Sequence, residues 1–228
     1  NHPARTAECI ATLDLVSNRR VEFGTGESSA ILELGVFYIP VESKREQYLE
    51  AVEQICNMLP IDPYPGFEGK YFSMPCRNIA PKPAQRPHPP LWVACSNRET
   101  IKMAARLGIG ALTFAFVDPL EAKHWVDEYY SIIKSDECVP IGNTVNANIA
   151  MVTSFSLHQD REEAINRGLE GFEFFGYALG ALYGFGEHKP GRTNLFKQFR
   201  EALEKQLAEM PGRHRGVSCR CQGRNRNP

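Results

Sequence analysis

The chain has 228 residues, 43% of them hydrophobic and 23% charged, the balance of a soluble globular protein with apolar material for one large domain or two small ones. Lys and Arg number 26 against 27 Asp and Glu, a formal net charge of -1, so the basic excess with which nucleic-acid binders displace counterions from phosphates is missing. Apolar runs are short and broken by charge, below the ~20 residues of a membrane-spanning helix, and Asn1-His2-Pro3 does not open a secretory leader; the expectation is a cytoplasmic protein with neither nucleic-acid nor membrane partner.

From Pro3 to Ser17 the positions Ala7, Ile10, Ala11, Leu13 and Leu15 recur at helical spacing, with Pro3 suited to a first turn. Because the chain opens without Met on this pattern, upstream residues are expected. Arg20 to Gly26 reads as a short strand ending in a glycine loop, and residues 27–42 read as irregular. Ser43 with Glu46 has capping-box spacing and predicts a helix to about Leu59. The stretch from Pro60 to Pro90 holds nine prolines, which excludes helix by fixing φ and removing donors; a long excursion with a hairpin around Gly69-Lys70-Tyr71-Phe72 is predicted.

Leu91-Trp92-Val93-Ala94 follows as a compact apolar strand, then Ser96 and Glu99 as a second capping box whose helix Gly108 ends. Ile109 to Phe116 is a further strand, and Asp118-Pro119 with Glu121 starts another helix. Asn148 to Phe155 reads as a strand, Asp160 to about Leu182 as a long helix and Thr193 to Met210 as a last charged one. Apolar strands alternating with amphipathic helices indicate an α/β fold on a parallel sheet, for which a barrel and a doubly wound sheet both remain open. From Pro211 to Pro228 the Arg-rich, apolar-poor sequence predicts a disordered tail.

In such folds ligands gather where strands end and helices begin, which nominates Thr25 to Ser28, Cys95 to Arg98, Phe114 to Phe116 and Thr153 to Phe155. A helix opened by Ser96 presents free N–H groups and a positive dipole end to an anion, and Arg98 adds a charge; the plainer reading is a capping serine beside a solvated arginine. Gly24-x-Gly26 lacks both the third glycine of a dinucleotide fingerprint and the lysine of a P-loop. The seven cysteines, at 9, 56, 76, 95, 138, 219 and 221, have no metal-ligand spacing and read as reduced thiols, and neither His88 nor His124 has partners for a metal or triad role.

Several runs together resemble the luciferase-like, flavin-dependent monooxygenase family. His2-Pro3-Ala4-Arg5-Thr6-Ala7-Glu8, Leu13-Asp14-x-x-Ser17 and Arg20 to Gly26 are similar to its hP-x-R-x-AE, LD-x-x-S and GR-x-x-x-G-x-G segments. Phe67-x-Gly69-x-Tyr71, with its tyrosine one position early, and Pro81-Lys82-Pro83-x-Gln85-x-Pro87-x-Pro89-Pro90-x-Trp92-x-Ala94 resemble its F-x-G-x-x-Y and PKP-x-Q-x-P-x-PP-x-W-x-A stretch, and Ala104 to Gly108 matches the helix end that follows.

The resemblance implies an incomplete (β/α)₈ TIM-type barrel over residues 1–210, approximately strands four to seven with their helices. It also implies an oxidoreductase that uses reduced FMN and O₂ to oxidise a small organic substrate through a flavin hydroperoxide. A separate NAD(P)H:flavin reductase would supply the FMN, and a homo-oligomer is expected of the complete protein. The same fold with deazaflavin (F420) and hydride transfer, or a non-catalytic flavin-binding fragment, are the alternatives. By position, Ser96 and Thr100 look like hydroxyls that meet the flavin phosphate, with the Cys95 backbone beside them, and Gly26 and Glu27 match the end of strand four near the flavin. Many relatives carry a basic residue where this chain has Glu27, and Arg98 is the expected compensating charge. Phe114, Phe116 and Phe155 are expected to contribute apolar walls. No metal is implied, and the residues that act on the substrate are not identified.

Overall fold

A computed structural model describes residues 1–114, 117–184, 191 and 194–208. The chain divides into two units, Asn1–Gln159 and Asp160–Pro228.

The first unit is built on four parallel strands, β1 (Phe23–Thr25), β4 (Leu91–Cys95), β5 (Gly110–Phe114) and β6 (Ile149–Val152), hydrogen-bonded in the order β1-β4-β5-β6. Helices α1 (Pro3–Val16), α3 (Lys44–Met58), α4 (Arg98–Arg106) and α5 (Pro119–Ile133) fall between them in the chain. The strand faces differ sharply. Leu91, Val93 and Cys95 of β4 and Ala111 of β5 are buried with Ala7 and Ala11 of α1, Val52, Ile55 and Cys56 of α3, Ile101 and Ala104 of α4, and Tyr129 of α5. The alternate positions Ala94, Leu112 and Phe114 are exposed. A doubly wound sheet would cover both faces, whereas helices on one face with an open opposite face is the arrangement of part of a barrel wall.

The predicted strands are all present, but the one expected over Asn148 to Phe155 covers only Ile149–Val152, and the first is shorter than Arg20 to Gly26, because Asn18 and Arg19 take left-handed backbone (φ 54° and 65°) and turn the chain out of α1. Residues 27–42 are not wholly irregular: Ile31–Val36 forms a short helix, α2, that buries only Leu34. Helical spacing misjudged part of α1. Its buried face is Pro3, Ala7, Ala11 and Asp14, while Leu13 and Leu15 point outward.

Both capping boxes are corrected. Ser43 stands at the N-cap of α3 without capping through its side chain; its hydroxyl donates to the Pro40 carbonyl at 3.3 Å and accepts from the Gln47 amide at 2.9 Å. The cap of α4 is Asn97, one residue after Ser96: Asn97 Oδ1 accepts from Thr100 N at 3.0 Å and from the Thr100 hydroxyl at 3.2 Å. Asp118 caps α5 as predicted, accepting from Leu120 N at 2.8 Å with Pro119 in the first turn.

The proline-rich excursion contains the expected hairpin, β2 (Phe67–Glu68) antiparallel to β3 (Ser73–Met74). The Glu50 carboxylate of α3 holds its tip by accepting from the backbone N–H groups of Lys70, Tyr71 and Phe72 at 2.9 to 3.0 Å. Further along, Gln85 donates its backbone and side-chain N–H groups to the buried Asp14 carboxylate at 2.7 and 2.8 Å. Two of the motif segments quoted above, one on α1 and one in the excursion, are thus fastened to each other beneath β1.

In the second unit Asp160 caps α6 (Arg161–Leu179) by accepting from Glu163 N at 2.8 Å. This helix continues into a π-helical turn, Gly180–Gly184, and α7 spans Leu195–Ala208. Tyr177 meets Phe174, Phe196 and Phe199 at ring separations of 5.2 to 6.4 Å. The predicted tail at 211–228 lies outside the described residues, as do Ala115 and Phe116.

Candidate cofactor site

Parallel strands direct their carboxyl ends to one rim, and register decides which side chains share the open face there. Gly24 is paired with Trp92 and Trp92 with Gly110, while Ala94 is paired with Leu112 and Leu112 with Ala150. The Trp92 indole closes the lower row: a Cβ on Gly110 would come within 2.4 Å of its Cε3, and its Nε1 donates to Glu22. Above it the surface is low and apolar. A Cβ on Gly24 would meet nothing within 4 Å, and one on Gly26 only the Ala94 Cβ at 3.8 Å. Leu112, Phe114 and Val152 stand 37%, 46% and 55% exposed beside this lane. Small side chains flanked by larger apolar ones make a surface on which a planar ring can lie in contact with backbone.

At the end of β1, the Thr25 hydroxyl donates to the Trp92 carbonyl at 2.7 Å and accepts from the Tyr48 hydroxyl at 2.8 Å. Burial pushes the Tyr48 phenol up to about 12, so it stays a neutral donor. Glu27 is tied bidentately to Arg45 of α3, Oε2 to Nε at 2.6 Å and Oε1 to Nη2 at 2.5 Å. The Glu27 side chain is only 12% exposed against 41% for Arg45. The hydrogen bonds that Arg45 donates to Glu27 raise its already high pKa against the opposing effect of burial. Arg45 Nη1 also touches Met103 Sδ of α4 at 3.0 Å, so this guanidinium bridges the ends of β1 and α4.

At the end of β4, Cys95 is buried and its thiol, pushed up to about 12 by burial, is a packed neutral group without nucleophilic character. Ser96 is exposed and accepts from Asn97 Nδ2 at 3.5 Å. Thr100 is buried, its hydroxyl committed to Asn97 Oδ1. Arg98 Nε donates to Glu128 of α5 at 2.6 Å, and Lys102 reaches the same carboxylate at 3.4 Å. The Arg98 hydrogen bond holds the Glu128 carboxyl below its ordinary range.

Gly26 and Glu27 therefore stand at the end of β1, and Cys95, Ser96, Arg98 and Thr100 at the β4–α4 turn. Arg98 Nε is committed to Glu128, and the Thr100 hydroxyl can donate to a ligand only by leaving the cap. Phe155 is 81% exposed, and Phe116 lies outside the described residues. Sequence reading missed Arg45 and Tyr48, and it placed Asn97 in the nominated turn without seeing that it is the cap. The first two lie on α3, where Tyr48 meets the Thr25 hydroxyl, but charge at a helix start gave no cue to a partner. Among the described residues, no three His, Cys, Asp or Glu side chains come together as a metal site, and no helix is long and apolar enough to cross a membrane.

Comparison with known proteins matches this arrangement. The profile of the luciferase-like monooxygenase family covers residues 1–212. The alkanal monooxygenase beta chain of Aliivibrio fischeri is 26% identical over 165 residues, 72% of this chain and 49% of that protein. The F420-dependent glucose-6-phosphate dehydrogenase of Microbacterium testaceum is 30% identical over 120 residues, 52% of this chain and 35% of that protein. The crystal structure of the monooxygenase RslO1 from Streptomyces bottropensis superposes with a TM-score of 0.69 at 25% identity, over 80% of this chain and 55% of that one. The chain thus spans about half or less of the length of these relatives. The parallel sheet with its one-sided helical cover is an incomplete TIM-type barrel, and the chain belongs to the luciferase-like monooxygenase family.

Proposed function

We propose that the intact protein is a flavin-dependent monooxygenase that binds reduced FMN on the open face at the strand ends and oxidises a small organic substrate with O₂. The observation that carries this reading is the low apolar lane over Gly24, Gly26 and Ala94, in a chain whose family is that of the monooxygenases. The lane fits the ring of the cofactor. The tail would run toward the β4–α4 turn, where Ser96, the Cys95 backbone and the first N–H groups of α4 are the proposed contacts, with Thr100 behind them. Glu27 and Gly26 border the tail on the β1 side.

Reduced flavin supplies the electrons that activate oxygen, and the protein supplies position and dryness. Thr25, fixed between the Trp92 carbonyl and Tyr48, keeps the end of β1 in register with β4, so that Gly26 and Ala94 stay level under a ring. Leu112, Phe114 and Val152 lower the polarity beside it, which protects a water-sensitive intermediate. Reduced FMN would come from a separate NAD(P)H:flavin reductase.

A deazaflavin-dependent oxidoreductase is the second reading, favoured by the identity to the F420-dependent dehydrogenase. The discriminating experiment presents the intact protein with reduced FMN or reduced F420 in air-saturated buffer and follows the cofactor spectrum. Slowed, protein-dependent reoxidation of FMN supports the monooxygenase. Tight binding of F420 with FMN ignored replaces it with hydride transfer.

A further inference from the structure

Glu27 occupies the end of β1 with its carboxylate almost wholly enclosed, both oxygens taken by the Arg45 fork. At the facing turn Arg98 and Lys102 share Glu128, and Lys102 also meets Glu99 at 2.9 Å. Lys44, the neighbour of Arg45, donates to the Ser28 carbonyl at 2.6 Å, holding the loop that follows β1. Arg45, Arg98 and Lys102 are thus matched by Glu27, Glu128 and Glu99, and the Lys44 ammonium shares the Ser28 loop with the Glu33 carboxylate, which accepts from the Ser28 hydroxyl. A phosphate arriving there finds a hydroxyl and helix N–H groups but a local field close to neutral, since a charge pair attracts an anion with one member and repels it with the other.

We infer that this protein selects its flavin by the ring and the ribityl chain and not by the terminal phosphate, so that riboflavin is bound about as well as FMN, with Glu27 as the residue that sets this. The inference rests on the flavin reading of the site and adds the class of ligand: a neutral polyol-tailed flavin is accepted beside the phosphorylated one. Glu27 acts by cancelling Arg45. Replacing it with Gln keeps a hydrogen-bond acceptor for the guanidinium, removes the opposing charge and leaves Arg45 free to attract a phosphate at the end of β1.

The test measures dissociation constants of oxidised FMN and riboflavin on the intact protein at low and moderate salt, for the wild type and for Glu27→Gln, with thermal unfolding as the control for folding. In the wild type the two constants should agree within about threefold and change little with salt, as for an interaction without net charge. In Glu27→Gln, FMN should tighten by about tenfold at low salt, with the gain fading at higher salt, while riboflavin moves less than about twofold. A wild type that prefers FMN by more than about tenfold, or a Glu27→Gln variant with an unchanged FMN-to-riboflavin ratio, overturns the inference and leaves the flavin reading standing. Binding of neither flavin by the folded wild type removes that reading and this inference together. If Glu27→Gln fails to fold, the wild-type ratio and its salt dependence decide.

Discussion

His88 sits 3% exposed beneath the sheet, where its Nε2 accepts from Asn143 N at 3.2 Å and its Nδ1 faces the Pro89 carbonyl at 2.9 Å. The two partners fix the tautomer: the proton is on Nδ1, and the ring is neutral. Burial lowers its pKa, against the weaker opposing effect of the Pro89 carbonyl. A group with a depressed folded pKa stabilises the fold fully above its unfolded value of about 6.5, and that contribution is lost as pH falls below it toward the folded value. Denaturant midpoints measured between neutral and mildly acid pH should therefore fall more steeply for the wild type than for His88→Gln, which keeps an amide but cannot titrate. Parallel pH profiles would rule His88 out as a source of acid sensitivity. Gly110 makes a second residue-scale demand, because a Cβ there meets Trp92 Cε3 at 2.4 Å and Asn146 Nδ2 at 2.6 Å. Gly110→Ala should cost ~1–3 kcal/mol by overpacking, and Trp92→Leu in the same chain should recover part of it, as a double-mutant cycle would show.

Among the elements, α4 shows what sequence could and could not yield. Its place, its length to Gly108 and its position at a strand end follow from an apolar run, polar start residues and a terminal glycine in left-handed backbone (φ 68°). The cap register did not follow, because Ser96 and Asn97 are adjacent and both suited to capping. What separates them is backbone: β4 carries Cys95 into the core, and the chain turns extended at Asn97 (φ -156°, ψ 170°). Truncating the true cap, Asn97→Ala, should cost ~1 kcal/mol of stability, whereas Ser96→Ala should stay within about ±0.5 kcal/mol. Equal losses in thermal or chemical denaturation would return the cap to Ser96. The same limit hid Arg45. The anionic residue at the end of β1 was visible as a departure from the family pattern and Arg98 was nominated to balance it, yet side-chain pairing across 18 residues is decided by how α3 lies over β1. The Asp14–Gln85 link, spanning 71 residues, was present in the sequence only as two separate motifs.

The α/β class, the parallel sheet and the family were legible across the whole molecule because they rest on alternation and on joint motif order, which many residues determine together. Which face of the sheet stays open was not, since periodicity in a buried strand is the same for a covered and an uncovered face. That open face now governs how the 228-residue chain behaves by itself. Among the described residues β1 pairs only with β4 and β6 only with β5, so each leaves one line of backbone donors and acceptors without a strand partner, and Leu112, Phe114 and Val152 stand exposed between them. Unpaired edges beside an apolar face invite association of copies. The isolated chain should bind a hydrophobic dye and sediment with a concentration-dependent mass, and Val152→Lys, which places charge at the rim of β6, should weaken both effects. The intact protein should show neither. An isolated chain that remains monomeric and dark to the dye would mean that its own residues outside the described set cover the sheet, and the barrel wall would then be closed from within this sequence.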